Sequence, residues 1–298
     1  MERGAYRFLS LKNAKKIGAG LTGAVYETGP DTVVKVKYLP DAERELIREQ
    51  ELSGIAFRLG IPTAIPFDLV ETEEGYGAVY SLVDAATFAE TLGKRPDSFL
   101  RLIDLSVGLL RSIHEKDGSA LPLPSAKKTF SRAVAFSEPY LPHSAYEKLS
   151  LLYRAIPDGQ RLLHGDFHFK NILFQNGKPV LIDMDTLSKG DPVFEFTSIY
   201  KSYVGYGELE EENVTRYFRL PYETTKAIYR ETLSQYLSGK PSRFVEEADR
   251  KIRLLSYVRL IRTWATERTY SDKKKEAFLT DTVEKLLSLL SSVDSLTL

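Results

Sequence analysis

The chain has 298 residues, 43% hydrophobic and 28% charged, an ordinary globular balance that excludes disordered and collagen-like classes. Lys plus Arg and Asp plus Glu number 41 each, so the formal net charge is zero and the basic excess expected of a nucleic-acid binder is missing. With no cysteine, a disulfide scaffold, a thiolate zinc site and a cysteine nucleophile are all excluded. The first residues lack the basic-then-apolar layout of a signal peptide, and no run of ~18 apolar residues occurs. The expectation is a soluble cytoplasmic protein with no membrane or nucleic-acid partner.

Residues 12–40 read as paired strands, with Ala24-Val25-Tyr26 and the β-branched run from Thr32 to Tyr38 flanking a turn at Gly29-Pro30-Asp31. Asp41 is placed to cap a helix that Gly60 ends, with Glu43 and Glu45 in its positive first turn and Leu52, Ile55, Ala56 and Leu59 as its apolar stripe. Strands are expected at Phe67–Glu71 and Gly77–Val83. Beyond Asp84 the pattern becomes helical. Leu100, Ile103, Val107, Leu110 and Ile113 share one face of a helix over 97–116, residues 121–127 form a connector, and long helices are expected over 243–266 and 273–291. Short β-like runs occupy 161–196. The reading is a β-rich lobe over 1–84, a hinge near residues 81–86, and a larger helical lobe over 85–298.

Gly18-Ala19-Gly20-Leu21-Thr22-Gly23-Ala24-Val25 has the spacing G-x-G-x-x-G-x-V. Such glycines let backbone amides approach a phosphate. In a dinucleotide-binding fold a helix must follow the loop, whereas here a hairpin follows. That favours a strand–loop–strand flap, although a tight hairpin end would use the same glycines. Lys35 lies ten residues after Val25 on the next strand and shares a face with Val33 and Lys37. A lysine there suits nucleotide phosphates, with Glu49 the preferred partner over Glu45 on the following helix. Two solvated edge lysines would look the same in sequence.

Residues 161–185 carry most of the information. His164-Gly165-Asp166 is followed by Asn171, five residues after the aspartate, and an apolar hairpin then leads to Asp183. The whole arrangement from Gly18 to Glu195 resembles the aminoglycoside phosphotransferase family, in which His-Gly-Asp-x-x-x-x-Asn is the catalytic loop. The resemblance implies an α+β, bilobal, protein-kinase-like fold and transfer of a γ-phosphate from ATP or GTP to the hydroxyl of a small molecule. It makes Asp166 the catalytic base and Asn171 and Asp183 the Mg²⁺ ligands. It places Gly18, Gly20, Gly23, Val25, Lys35, Glu49, Leu82 and Val83 around the nucleotide. His164 would hold the loop, and His114 resembles the family's helix-end histidine. His168 stands where protein kinases carry a phosphate-contacting lysine. Asp185 reads either as a further metal-side carboxylate or as a turn residue. Asp191, before Pro192, reads as a helix cap.

Three rival readings fit less of the sequence. A dinuclear metallohydrolase built on His164, Asp166, His168, Asp183 and Asp185 leaves the glycine loop, Lys35 and Asn171 without a role. A protein kinase would need an activation segment, yet only seven residues separate Asp183 from Asp191 and no Ala-Pro-Glu occurs. A nucleotide-binding module without turnover would not need a complete set of catalytic positions. Residues 200–298 hold 17 Lys plus Arg against 15 Asp plus Glu, so the acidic lining expected for a polycationic acceptor is absent. The run Glu208, Glu210, Glu211, Glu212 reads as a solvated face. Tyr200, Tyr203, Tyr206, Tyr217, Phe218 and Tyr222 could cage an amine, stack on a sugar or fill a core. An aminoglycoside-like compound, a sugar and an amino alcohol remain open as acceptors.

Overall fold

The computed structural model describes residues 6–19, 23–38, 41–83 and 85–298. In chain order the elements are β1 (Arg7–Phe8), β2 (Lys15–Ala19), β3 (Gly23–Gly29), β4 (Thr32–Lys37), α1 (Ala42–Arg58), β5 (Pro66–Thr72), β6 (Gly75–Ser81), α2 (Phe88–Lys94), α3 (Phe99–His114), α4 (Ala126–Ser137), α5 (His143–Ala155) and β7 (Arg161–Leu163). There follow β8 (Ile172–Gln175), β9 (Lys178–Leu181), β10 (Ser188–Gly190), α6 (Pro192–Tyr200), α7 (Glu212–Phe218), α8 (Tyr222–Tyr236), α9 (Ser242–Thr266) and α10 (Asp272–Leu290). Two compact units result. One holds the chain up to Thr87 together with Asn171–Thr186, and the other holds Phe88–Lys170 and Leu187–Leu298. Among the described residues, no helix is long and apolar enough to cross a membrane.

The first unit is a six-stranded sheet in the order β1-β5-β6-β4-β3-β2, antiparallel except for β1 beside β5. The two-residue period of β4 explains its two faces. Val34 and Val36 are fully buried and pack with Leu11, Ala24, Tyr26, Val70 and Val79. Val33, Lys35 and Lys37 project to the opposite face, where Leu46 of α1 packs with Ala78 and Tyr80 of β6. Asp41 occupies the N-cap position of α1, but its side chain makes no capping bond, and only its backbone carbonyl accepts from Glu45 N–H at 3.1 Å. The β8–β9 hairpin turns at Asn176-Gly177, both at positive φ as a tight two-residue hairpin requires. It returns the chain to this unit, where Leu181 N–H donates to Pro62 O.

In the second unit α6 is buried along its whole length and packs against α9, itself buried over most of its turns. α6 is buried all round although it carries Glu195, Thr197 and Ser198, so its polar groups need partners inside the fold. Asp191 caps α6 by accepting Val193 N–H at 2.8 Å, with Pro192 in the first turn. Two expectations are corrected. Leu100 is exposed, because the first turn of α3 turns Leu102 and Ile103 inward instead, whereas Ile103, Val107, Leu110 and Ile113 are buried as the stripe requires. Residues 121–127 are not all connector, since Ser125 caps α4 by accepting Lys128 N–H.

Candidate active site

The first unit gathers most of the nucleotide-side candidates in one cavity of about 230 Å³. Val25, Val33, Leu82, Val83, Leu173 and Ile182 form apolar walls, and Lys35, Glu49 and Asp183 form a polar end. Lys35 Nζ lies 2.7 Å from Glu49 Oε1 and 2.5 Å from Asp183 Oδ1. Burial pushes the ammonium toward losing its proton, but the two carboxylates outweigh it and hold the pKa well above the ordinary lysine value. Lys37 is not a solvated edge lysine either. It is buried, 3.1 Å from Glu45 and 3.5 Å from Glu49.

Asp183 follows β9 at φ +68°, in the left-handed region that non-glycine residues avoid and that recurs at functional sites. One residue earlier, Ile182 N–H donates to Asn171 O at 2.9 Å, so both candidate metal ligands flank one backbone bond. Glu49, Asp183 and Asp185 each place a carboxylate oxygen within 4.8 Å of the others. Burial, then the charges of Asp183 and Glu49, push the Asp185 carboxyl up to about 7. These are hard oxygen donors, the kind that suits Mg²⁺.

Two glycines of the loop differ in what the fold demands of them. A Cβ on Gly23 would lie 2.0 Å from Val36 O, so the β3–β4 pairing itself excludes a side chain there. A Cβ on Gly18 would meet only Val25 at an ordinary 3.6 Å, so packing does not require glycine at that position. Neither lines the cavity, and Gly20 lies outside the described residues.

The second unit holds Asp166 on the loop after β7. The Glu195 carboxylate, fully buried in the first turn of α6, accepts His164 N–H at 2.6 Å and Gly165 N–H at 2.9 Å. Gly165 has φ +86°, which turns Asp166 away from the buried strand. Phe167 and Phe169 anchor the loop in the core, where Phe169 N–H donates to Tyr203 OH. His164 is fully buried, and its Nδ1 accepts Asp166 N–H at 3.3 Å. His168 Nε2 is 3.4 Å from Asp166 Oδ2 and 3.3 Å from Tyr217 OH. Burial pushes the Asp166 carboxyl up, but the His168 contact and the charges of His164 and Lys201 outweigh it and hold the group well below the usual carboxylate range.

A second cavity, of about 350 Å³, adjoins Asp166 and His168. Tyr206, Tyr217, Trp264 and Tyr270 wall it, with Lys201 and Glu267 as further charged lining. Lys201, Trp264, Glu267 and Tyr270 carry no motif that sequence reading could have found. Of the tyrosine-rich stretch, Tyr200, Tyr203, Phe218 and Tyr222 fill the core, and only Tyr206 and Tyr217 face this cavity. Nor is the acidic run simply a solvated face. Glu208 takes Lys285 at 2.8 Å and Tyr257, and Glu210 takes Lys274 at 2.8 Å and Tyr270, which ties the run to α10 and the turn before it.

The sequence profile of the phosphotransferase enzyme family (APH) matches residues 13–230. The chain belongs to that family. It is accordingly a small-molecule kinase, a phosphotransferase with an alcohol group as acceptor. No curated protein matches the chain. Solved structures share its fold over nearly the full length. The streptomycin–ATP–APH(2")-IIa ternary complex matches at 16% identity and TM-score 0.60, covering 92% of this chain and 93% of that one. ADP-bound APH(2'')-Ib matches at 17% identity and TM-score 0.60, covering 94% of each chain. A thermostable mutant of APH(4)-Ia with AMP-PNP and hygromycin B matches at 14% identity and TM-score 0.59, again covering 94% of each. The fold is the kinase-like fold that the family resemblance implies.

Proposed function

We propose that this phosphotransferase moves the γ-phosphate of ATP or GTP to the hydroxyl of a small molecule with Mg²⁺. The observation that carries the reading is Lys35 held between Glu49 and Asp183 at the polar end of an apolar-walled cavity. Flat apolar walls suit a purine, and a fixed cation suits the phosphates beyond it. The relatives bound to ATP, ADP and AMP-PNP support a nucleotide donor. Asn171 and Asp183 offer hard oxygens that would hold Mg²⁺, which when bound neutralises phosphate charge.

Asp166 stays ionised at neutral pH, so it is a weak base and a good hydrogen-bond acceptor. Its service is to orient the hydroxyl and to take its proton late in a loose transition state. The hydroxyl oxygen bonds to the γ-phosphorus, the bond to the β-phosphate oxygen breaks, and the nucleoside diphosphate leaves with that electron pair. The test is transfer of label from γ-labelled ATP, with Mg²⁺, into a panel of aminoglycosides, sugars, sugar acids and amino alcohols. Asp166→Asn should abolish transfer and leave nucleotide binding nearly intact. Normal turnover in that variant would overturn the assignment of the base.

A further inference from the structure

The cavity beside Asp166 is the wrong shape of charge for an amine. An aromatic cage holds an ammonium group over open ring faces, within about 6 Å of their centroids. Each tyrosine of this cavity already carries a lysine of the protein. Lys201 Nζ is 5.4 Å from the Tyr206 ring, Lys170 Nζ 4.1 Å from Tyr217, and Lys274 Nζ 4.2 Å from Tyr270. Carboxylates for a polycation are no better supplied. Beyond Asp166 the cavity offers Glu267, whose Oε1 already accepts Arg268 N–H, Thr269 N–H and the Thr269 hydroxyl. Glu208 and Glu210 are held by Lys285 and Lys274 and do not line it.

What Lys201 lacks is a paired anion. Among the described residues, Lys201 makes no ion pair within 4.0 Å and no side-chain hydrogen bond, although it is half-buried. Arg259 of α9, whose charge bears on Lys201, is in the same state. Desolvation, then Arg259, push the Lys201 ammonium down to about 7, and Asp166 opposes them. A cation left desolvated next to another cation is costly unless a ligand brings the counter-charge. Its place in the lining of the same cavity as Asp166 gives it a use in recognition.

We propose that the acceptor is a hydroxylated anion of the sugar-acid class, bound with its carboxylate against Lys201 and the reacting hydroxyl against Asp166. This rests on the phosphotransferase reading above. A volume of about 350 Å³ is within the range of small-molecule sites. Trp264, over which no lysine lies among the described residues, gives the cavity an aromatic wall against which a sugar ring packs.

Trp264 is the one tryptophan of the chain and a wall of this cavity, so its emission reports occupancy directly. Titration of the intact protein at pH 6.5 with glucuronate, glucose and glucosamine compares one ring in three charge states. Glucuronate should give a saturable change with a Kd at least tenfold below that for glucose, and glucosamine should bind most weakly. Lys201→Met should erase the glucuronate advantage, Lys201→Arg should keep it, and neither should change ATP affinity. Equal or tighter binding of glucosamine or kanamycin would overturn the inference, as would an emission unmoved by glucuronate. Labelled phosphate passing to kanamycin, and lost in Asp166→Asn, would sink the anionic acceptor and leave the phosphotransferase reading standing. Absence of any ATP binding would instead sink that reading itself.

Discussion

Lys201 should lower the stability of the protein it serves, and the cost can be worked from its surroundings. Its ammonium falls from 10.5 to about 7 through desolvation first and the Arg259 charge second. At 1.36 kcal/mol for each factor of ten, that is an upper bound of roughly 5 kcal/mol against the folded state. Solvent entering the open cavity screens much of it, and the loss of the contact with Tyr206 offsets about 0.5–1 kcal/mol more. Lys201→Met keeps the side-chain length and removes the charge. It should therefore stabilise the protein by about 1–3 kcal/mol at pH 7, a rise in Tm of several degrees for a chain of this size. The sign with pH follows from linkage. Between about 7 and 10.5 the unfolded chain binds the proton that the folded chain has shed, so wild-type stability climbs with pH across that window. The advantage of the variant is full below pH 7 and shrinks toward pH 10. Urea denaturation of both proteins from pH 6 to pH 10 measures it. A variant less stable than wild type, or an advantage that does not change with pH, would refute the reasoning.

Glu195→Ala leaves the buried His164 N–H and the part-buried Gly165 N–H without their acceptor, a loss of about 2–6 kcal/mol at 1–3 kcal/mol per orphaned group. Its turnover should fall while calorimetry shows ATP affinity preserved, and full activity would remove Glu195 from the positioning of the loop. Lys35→Ala should cut transfer by about 10²–10³, the scale of one lost transition-state donor. Lys37→Ala should cost much less in rate, and the reverse order would move the phosphate contact by two residues along β4. Gly18→Ala should fold normally and bind ATP more weakly, whereas Gly23→Ala should lower Tm first, because its Cβ meets a backbone oxygen. Thermal melts beside ATP titrations separate the two, and identical behaviour would show that both glycines serve only the hairpin.

What the sequence carried, and what it withheld, divides along the range of the interactions. β4 was legible because its alternation is local. Val34 and Val36 needed a core on one side, which set Lys35 and Lys37 on the other whatever the rest of the chain did. The order of Lys35, Glu49, Asp166, Asn171 and Asp183 was legible because it is a pattern of residue types at fixed spacings. Asp41 shows a local rule failing, since a capping residue can hold its position through the backbone alone. Glu195 was visible only as the end of Gly-Asp-Pro-Val-Phe-Glu. Its task arises because β7 pairs with β10, which sets the first turn of α6 against the backbone of the loop that carries Asp166. The acceptor side shows the same limit most sharply. A count of 17 cations against 15 anions says nothing of which charges are already spoken for. Glu208 and Glu210, conspicuous as a run, are taken by Lys285 and Lys274 from α10, whereas Lys201, inconspicuous after Tyr200, lacks an ion pair among the described residues. Which charges the fold leaves unmatched is set by helices far apart in the chain. That is why the nucleotide-side candidates stand out in the spacing, whereas Lys201 stands out only in the contacts.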